Sequence, residues 1–376
     1  MKLIFICGCM EPGNDGVGDY TRRLAGELIR RGHLVGILAL YDKHVENINL
    51  NFQIDENIPI NVMRLPSVLN AKTRFREAKV YIRREDPEWL SLQFVPHSFN
   101  KKGLPMELPY YLDRFFKNYK WHLMVHEPWI EKRVWTVNPK KNIAGILQRK
   151  ILQKIVKIIN PQVIQTSNHY YKEILKASGI PSSILNLPGN IPIFRSTNLN
   201  LAAEVKNLGI DHKNRGDWWI TGTFGRMREN IDYELFFKDL LEKSRINGKK
   251  LAFFSIGEAG IDSRRIFDHL GKTFEGKLLL YQFGSRSPED ISHFFQFLDF
   301  GVASVPLHLL GKSGAYASMR EHEVEVLVPK EKEKKENKLI TNDGSQILRM
   351  KNQEFSIKQI ANVFIQKIDS KSLVSS

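Results

Sequence analysis

Gly311-Lys312-Ser313-Gly314 brings an ammonium, a hydroxyl and backbone without side chains to the point where an apolar stretch, FLDFGVASVPLHLL, gives way to the helix-forming AYASMREHE. The first N–H groups of a helix have no partner within it, and the axial dipole favours negative charge there. The set therefore suits an anion such as a phosphate. It is not a P-loop, because Pro306 stands where the first Gly of GxxxxGK[ST] belongs. A Gly-rich cap with a solvent-facing Lys satisfies the same letters. Arg226, directly after the strand-like WWITGTFG (218–225), adds a planar guanidinium that can hold a phosphate bidentately, with Lys312 as a complementary point charge. Within RMR and beside Glu229 it reads equally well as a surface charge. YQFGSRSPED (281–290) presents the backbone of Phe283 and Gly284 and the guanidinium of Arg286 at another strand end.

The first half has its own candidates. In EPGNDGVGDYTRRLA, Gly13, Gly16 and Gly18 remove side chains where backbone would approach a ligand, and Asp19 reads as the cap of a helix starting near Tyr20. A tight strand-to-helix turn needs no more than this. The spacing is not the dinucleotide GxGxxG, and no acidic residue closes the second strand cleanly, which argues against a dehydrogenase. His126 ends the strand-like WHLMVH and is followed by Glu127-Pro128-Trp129. Gln93 and His97 are the polar members of LQFVPHSF (92–99). A histidine at the carboxyl end of a strand suits proton handling or hydroxyl binding, and it also occurs as a satisfied polar residue.

These positions need a frame that holds strand ends together. Strand-like runs at 3–9, 33–41, 89–95, 121–126 and 162–167 alternate with helical material, including TRRLAGELIRRG (21–32). After the Pro/Asn-rich 187–200, a second series runs through 218–225, 250–257, 277–284 and 299–305, with helices at 234–245 and 287–298. The pattern predicts two doubly wound, Rossmann-like α/β domains, 1–190 and 191–376, facing a cleft. PKEKEKKENK (329–338) reads as a solvated loop, and FSIKQIANVFIQKI (355–368) as an amphipathic final helix that crosses back.

Composition sets the partners. The formal net charge is +15, which calls for phosphorylated substrates, anionic lipid or nucleic acid. No acidic residue occurs from Lys132 to Lys172. Within 140–160, Ile143, Leu147, Ile151, Ile155 and Ile158 form one helical stripe, with Arg149, Lys150, Lys154 and Lys157 around it. That helix packs on a core with a solvated basic face, touches anionic headgroups, or does both. Nucleic-acid motifs are absent, no apolar run is long enough to span a bilayer, and no Cys/His set has metal-ligand spacing. Cys7 and Cys9, two apart on one strand, cannot readily bridge, which points to a reducing, cytoplasmic setting.

In succession, PGNDGVGDYTRRLAGELIRRGH, LQFVPHSF, VHEPW, TSNHYYKEILKASG, LPGNIPI, FGRM, FFSIGEAG and DFGVASVPLHLLGKSGAYASMREH resemble retaining glycosyltransferases of the GT-B fold, family 4, over residues 1–325. The resemblance implies sugar transfer from a nucleotide-diphosphate donor to an acceptor hydroxyl, without metal or cofactor. Gly16, Gly18, Arg226, Lys312, Ser313, Gly314 and Ala315 would lie at the donor diphosphate, and His126 at the donor sugar. Phe283, Gly284, Arg286 and Glu321 would lie at the nucleoside, and Asp19, Gln93 and His97 on the acceptor side. The acceptor would be a glycan, a lipid-linked or a small molecule; apart from the resemblance, the basic face of 140–160 leaves contact with the inner face of a membrane open. Glu323-Val324-Glu325-Val326 stands where the family has Gly-x-Pro-Val, so a Glu falls where left-handed backbone is wanted. This keeps a catalytically impaired nucleotide-sugar-binding protein open as an alternative, beside a sugar-nucleotide epimerase of the same fold.

Overall fold

Every residue of β1 (Lys2–Cys7) after Lys2 is buried, because helices cover both faces of the sheet it founds. Its side chains alternate accordingly: Leu3, Phe5 and Cys7 enter one core, Ile4 and Ile6 the other. The computed structural model describes residues 1–130, 139–195, 199–332, 346–348 and 355–372. It divides into one unit of Met1–Leu187 with Ile357–Ser376, and a second of Pro188–Ser356.

The first sheet adds β2 (Leu34–Asp42), β3 (Asn49–Asp55), β4 (Ile58–Pro66), β5 (Trp89–Phe94), β6 (Lys120–Val125), β7 (Val163–Thr166) and β8 (Ser183–Ile184). Their order is β3-β4-β2-β1-β5-β6-β7-β8, parallel except for the β3–β4 hairpin. The winding reverses between β1 and β5. Helices α1 (Gly16–Arg30), α2 (Ala71–Glu85), α3 (Pro96–Phe99), α4 (Glu107–Phe116), α5 (Pro139–Ile159) and α6 (His169–Ala177) connect these strands.

The second unit contains α7 (Leu199–Asn207), β9 (Trp218–Phe224), α8 (Tyr233–Ile246), β10 (Lys250–Ile256), α9 (Ile261–Thr273), β11 (Leu278–Gln282), α10 (Pro288–Phe297), β12 (Phe300–Val302), α11 (Gly314–Glu321), β13 (Glu325–Val328) and β14 (Gln346–Leu348). Its sheet runs β11-β10-β9-β12-β13-β14, with β14 alone antiparallel, and reverses between β9 and β12. The doubly wound expectation therefore holds for both units.

Other expectations need correction. Helix α1 starts at Gly16, ahead of Tyr20, because the Asp15 carboxylate caps it by accepting from the N–H groups of Val17 and Gly18. Asp19 belongs to its first turn. Asp42 closes β2 after all; it is fully buried and accepts from Arg64 Nε at 2.7 Å and Met10 N at 3.1 Å, so it has no oxygen turned to a ribose. The boundary falls at Leu187/Pro188 rather than 190/191. The final amphipathic helix, α12 (Ile357–Ser372), crosses back as expected and so belongs to the first unit rather than to 191–376; its Phe364 meets the rings of Phe5 and His122 at 5.8 and 4.9 Å. On α5 the buried stripe is Gln148, Ile151, Leu152, Ile155 and Ile159, whereas Ile143 and Ile146 are exposed. Gln148 is drawn inward because it accepts from Ile130 N and donates to Gly103 O. Residues 132–138 of the acid-free segment and 333–338 of the expected loop lie outside the described residues.

Candidate active site

In the second unit, the loops after β9 and β12 flank the reversal point at the carboxyl edge of the sheet, where ligands bind in such folds. After β9, Gly225 turns the chain with φ of 79°, a left-handed value that a side chain would resist. Arg226 follows, its side chain 71% exposed and 3.7 Å from the equally exposed Glu258 carboxylate beyond β10. So open a pair contributes little to stability and leaves the guanidinium able to change partner.

After β12 the chain forms a 3-10 turn, Leu307–Lys312, anchored by buried Leu310, whose carbonyl accepts from Ser313 N at 2.9 Å. Ser313 is the N-cap of α11 and accepts from Tyr316 N at 3.2 Å. Lys312, Ser313, Gly314 and Ala315 are thus consecutive across a helix start, half-buried, above a helix whose Tyr316–Arg320 stretch is buried. The helix is tied further by Ser318, which accepts from Asn190 N and donates to Asn190 Oδ1, both at 2.9 Å. A Cβ at Gly189 would come within 2.6 Å of Glu321 Oε2, so the Glu321 carboxylate turns toward the segment at 189–190.

The expected nucleoside group is less available. Phe283 lies in the core; its N–H donates to Ser255 O at 2.8 Å and its carbonyl accepts from Arg286 Nε at 3.0 Å. Arg286 is also ion-paired with Glu204 on α7 at 2.9 Å. Both residues therefore serve the packing of β11. Gly284, with φ of 71°, is the member left at the turn, and its carbonyl accepts from Gly257 N.

In the first unit the reversal lies between the loops after β1 and β5, which press together: a Cβ on Gly8 would stand 2.0 Å from Ser98 O. Gly18 is required by packing as well, since a Cβ there would lie 2.8 Å from Cys9 O, whereas Gly16 faces open space. Asp19 accepts from Gly13 N at 3.1 Å and from Arg22 at 2.7 Å, bracing the Gly-rich loop. His97 is exposed on α3.

Gln93 is fully buried within β5 and does not line the surface as an acceptor contact would. It joins a chain of buried polar groups that sequence reading missed. His126 Nε2 donates to Gln93 Oε1 at 2.9 Å, and Gln93 Nε2 donates to Ser91 Oγ at 2.7 Å. Ser91 donates to His122 Nδ1 at 2.7 Å, and His122 Nε2 donates to Gln165 Oε1 at 3.1 Å. With Gln93 Nε2 committed to Ser91, its oxygen can only accept, so the proton of His126 sits on Nε2 and Nδ1 keeps its lone pair. Burial pushes both imidazoles down to about 3, and both are neutral at physiological pH. The edge of the His126 ring meets Tyr20, 4.9 Å between centroids, whose buried hydroxyl has no partner. The signal was present in the letters: Ser91 and Gln93 occupy one face of β5, and Ser91 registers with His122 across β6.

No family model matches the sequence, and no curated protein matches it. Solved structures do. The UDP-GlcNAc 2-epimerase of Methanocaldococcus jannaschii aligns with a TM-score of 0.53 at 12% identity, over 98% of this chain and 100% of that one. Anabaena Alr3699/HepE, solved with UDP, gives 0.51 at 11% identity over 98% and 90%. The catalytic domain of Arabidopsis thaliana Starch Synthase IV, bound to ADP and acarbose, gives 0.50 at 13% identity over 87% and 82%. The fold is GT-B. At these identities the likeness extends to architecture, and the GT-B chain described here carries its own set of groups at each carboxyl edge.

Proposed function

We propose that this GT-B chain is a glycosyltransferase that binds a nucleoside diphosphate sugar at the carboxyl edge of the second sheet and passes the sugar to an acceptor hydroxyl. The observation that carries the reading is the reversal point between β9 and β12, flanked by exposed Arg226 on one side and by Lys312 and the capped start of α11 on the other. Arg226, Lys312, the Ser313 hydroxyl and the N–H groups of Gly314 and Ala315 would hold the diphosphate, and Glu321 and Gly284 would approach the nucleoside. The same cations would offset the charge of the departing diphosphate, so we propose transfer without metal, with retention at the anomeric carbon. His126, neutral with Nδ1 as acceptor, would take a hydrogen bond from a sugar hydroxyl and orient it rather than exchange protons. Asp19 and His97 remain candidates for acceptor contact and Gly16 for the donor diphosphate, with Gln93 acting behind His126.

The acceptor is a glycan, a small molecule or a lipid-linked sugar. No described helix is long and apolar enough to cross a membrane. Exposed Ile143 and Ile146, next to exposed Arg149, Lys150, Lys154 and Lys157 on α5, favour peripheral contact with an anionic bilayer at its cytoplasmic face.

Calorimetric titration with UDP, GDP, ADP and dTDP sugars tests the reading. One nucleotide should bind, with transfer persisting in excess EDTA. Arg226→Ala or Lys312→Ala should weaken binding by about 1.5–3 kcal/mol, roughly 10- to 150-fold. Failure of every nucleotide to bind would sink the proposal, and conversion of the donor without any acceptor would replace transfer by epimerisation.

A further inference from the structure

Strand β3 is the outermost strand of the first sheet, and its apolar residues face water while its polar ones face a helix. Its odd positions are polar and turn toward α1: Gln53 accepts from Arg22 Nε at 2.9 Å and donates to Met10 O at 2.7 Å, and Asp55 accepts from Arg30 at 3.2 Å. The even positions, Leu50, Phe52 and Ile54, are 46%, 66% and 69% exposed, and Ile48 before them is exposed too. Natural edges are blunted by bulges, prolines or lysines. β3 has none of these in Asn-Leu-Asn-Phe-Gln-Ile-Asp, and it pairs with β4 in unbroken register from Asn49 to Asp55. The Phe52 N–H donates to the side chain of its neighbour, Asn51 Oδ1, at 2.8 Å.

The strand is also chemically symmetric about Phe52, and this symmetry selects the occupant. An antiparallel pairing of β3 with itself sets Phe52 opposite its own copy and Leu50 opposite Ile54. It sets Asn51 opposite Gln53 and Asn49 opposite Asp55. Apolar meets apolar, polar meets polar, and the one carboxylate faces a neutral amide, so nothing in the register repels. An unrelated partner strand would have no need of such a palindrome, whereas a two-fold axis requires one. We propose that β3 is the dimerisation edge of this protein, and that two copies pair it antiparallel about a two-fold axis at Phe52, continuing one sheet through both.

Sedimentation of the full chain across the micromolar range should report a dimer. Phe52→Lys should raise its dissociation constant roughly 100-fold, because the change enters the interface twice, with far-UV circular dichroism unchanged. A second variant reads the register without disturbing the fold. Facing residues in antiparallel strands lie about 4.5–5.5 Å apart, within disulfide reach, so Phe52→Cys should cross-link two chains on mild oxidation. Ile54→Cys should not, since its own copy lies four residues along, about 14 Å away. Native Cys7 and Cys9 are buried, and burial drives the Cys9 thiol up to about 12, which keeps the background low. A monomer at all concentrations overturns the proposal. So does a dimer that survives Phe52→Lys, or one that cross-links through Ile54→Cys and not through Phe52→Cys.

Discussion

His122 and His126 lie in the sheet as uncharged rings held by amide and hydroxyl partners. Their folded pKa of about 3 lies below the value of an exposed imidazole near 6.5. The unfolded chain therefore binds more protons than the folded one between these limits. Stability is full above pH 6.5 and falls as the pH drops through that window, by up to about 1.4 kcal/mol per pH unit for each ring. Urea midpoints measured from pH 7 to 4.5 should follow this slope, and His122→Gln should make the acid limb visibly shallower. An unaltered slope would mean that the rings titrate normally. The same residues mark a limit of reading letters. His126 stood out because proline and a strand end frame it, but Ser91, His122 and Gln165 are single polar letters inside apolar runs. They acquire meaning only when β5, β6 and β7 lie side by side.

Helix endings show the same boundary at the next scale. α1, α6, α7 and α8 each end with Gly at the left-handed position, at Gly32, Gly179, Gly209 and Gly248. The residue after each returns its N–H to the carbonyl five positions back, as in Ile180 to Leu175. α11 closes by the same double bond, Glu323 N to Arg320 O and Val324 N to Met319 O, yet carries Glu323 at φ of 64°. The strain foreseen from Glu323 in place of a glycine is therefore real. Glu323→Gly should stabilise the protein by about 0.5–1 kcal/mol, the relief of left-handed strain less the entropy glycine adds to the unfolded chain. A denaturant titration showing a loss would refute this. Buried parallel strands such as β1 and β10 were readable because their letters are apolar at most positions. The β3–β4 hairpin was not, since it turns through Glu56 and Asn57, both at positive φ, without the usual Asn-Gly, and its apolar face points to water. α1 was placed late because Asp15, not Asp19, supplies its cap.

For the molecule as a whole, a charge of +15 suits an anionic partner, and α5 is a long basic helix without a single carboxylate. Flotation with vesicles containing phosphatidylglycerol should recover the protein, more so at low salt, whereas phosphatidylcholine vesicles should not. Lys150→Ala with Lys154→Ala should cost about 1 kcal/mol per charge, roughly 25-fold together. Equal recovery on neutral vesicles would dismiss the membrane contact. α12 carries a different consequence. The first unit is completed by a helix made only after the whole of the second unit, and it lays Phe364 over Phe5 and His122. During translation the α12 face of the earlier sheet stays bare until residues 188–356 have emerged, so the half made first is the half finished last, and a ribosome that stalls before Ile357 leaves behind a sticky, unroofed intermediate for chaperones to shield.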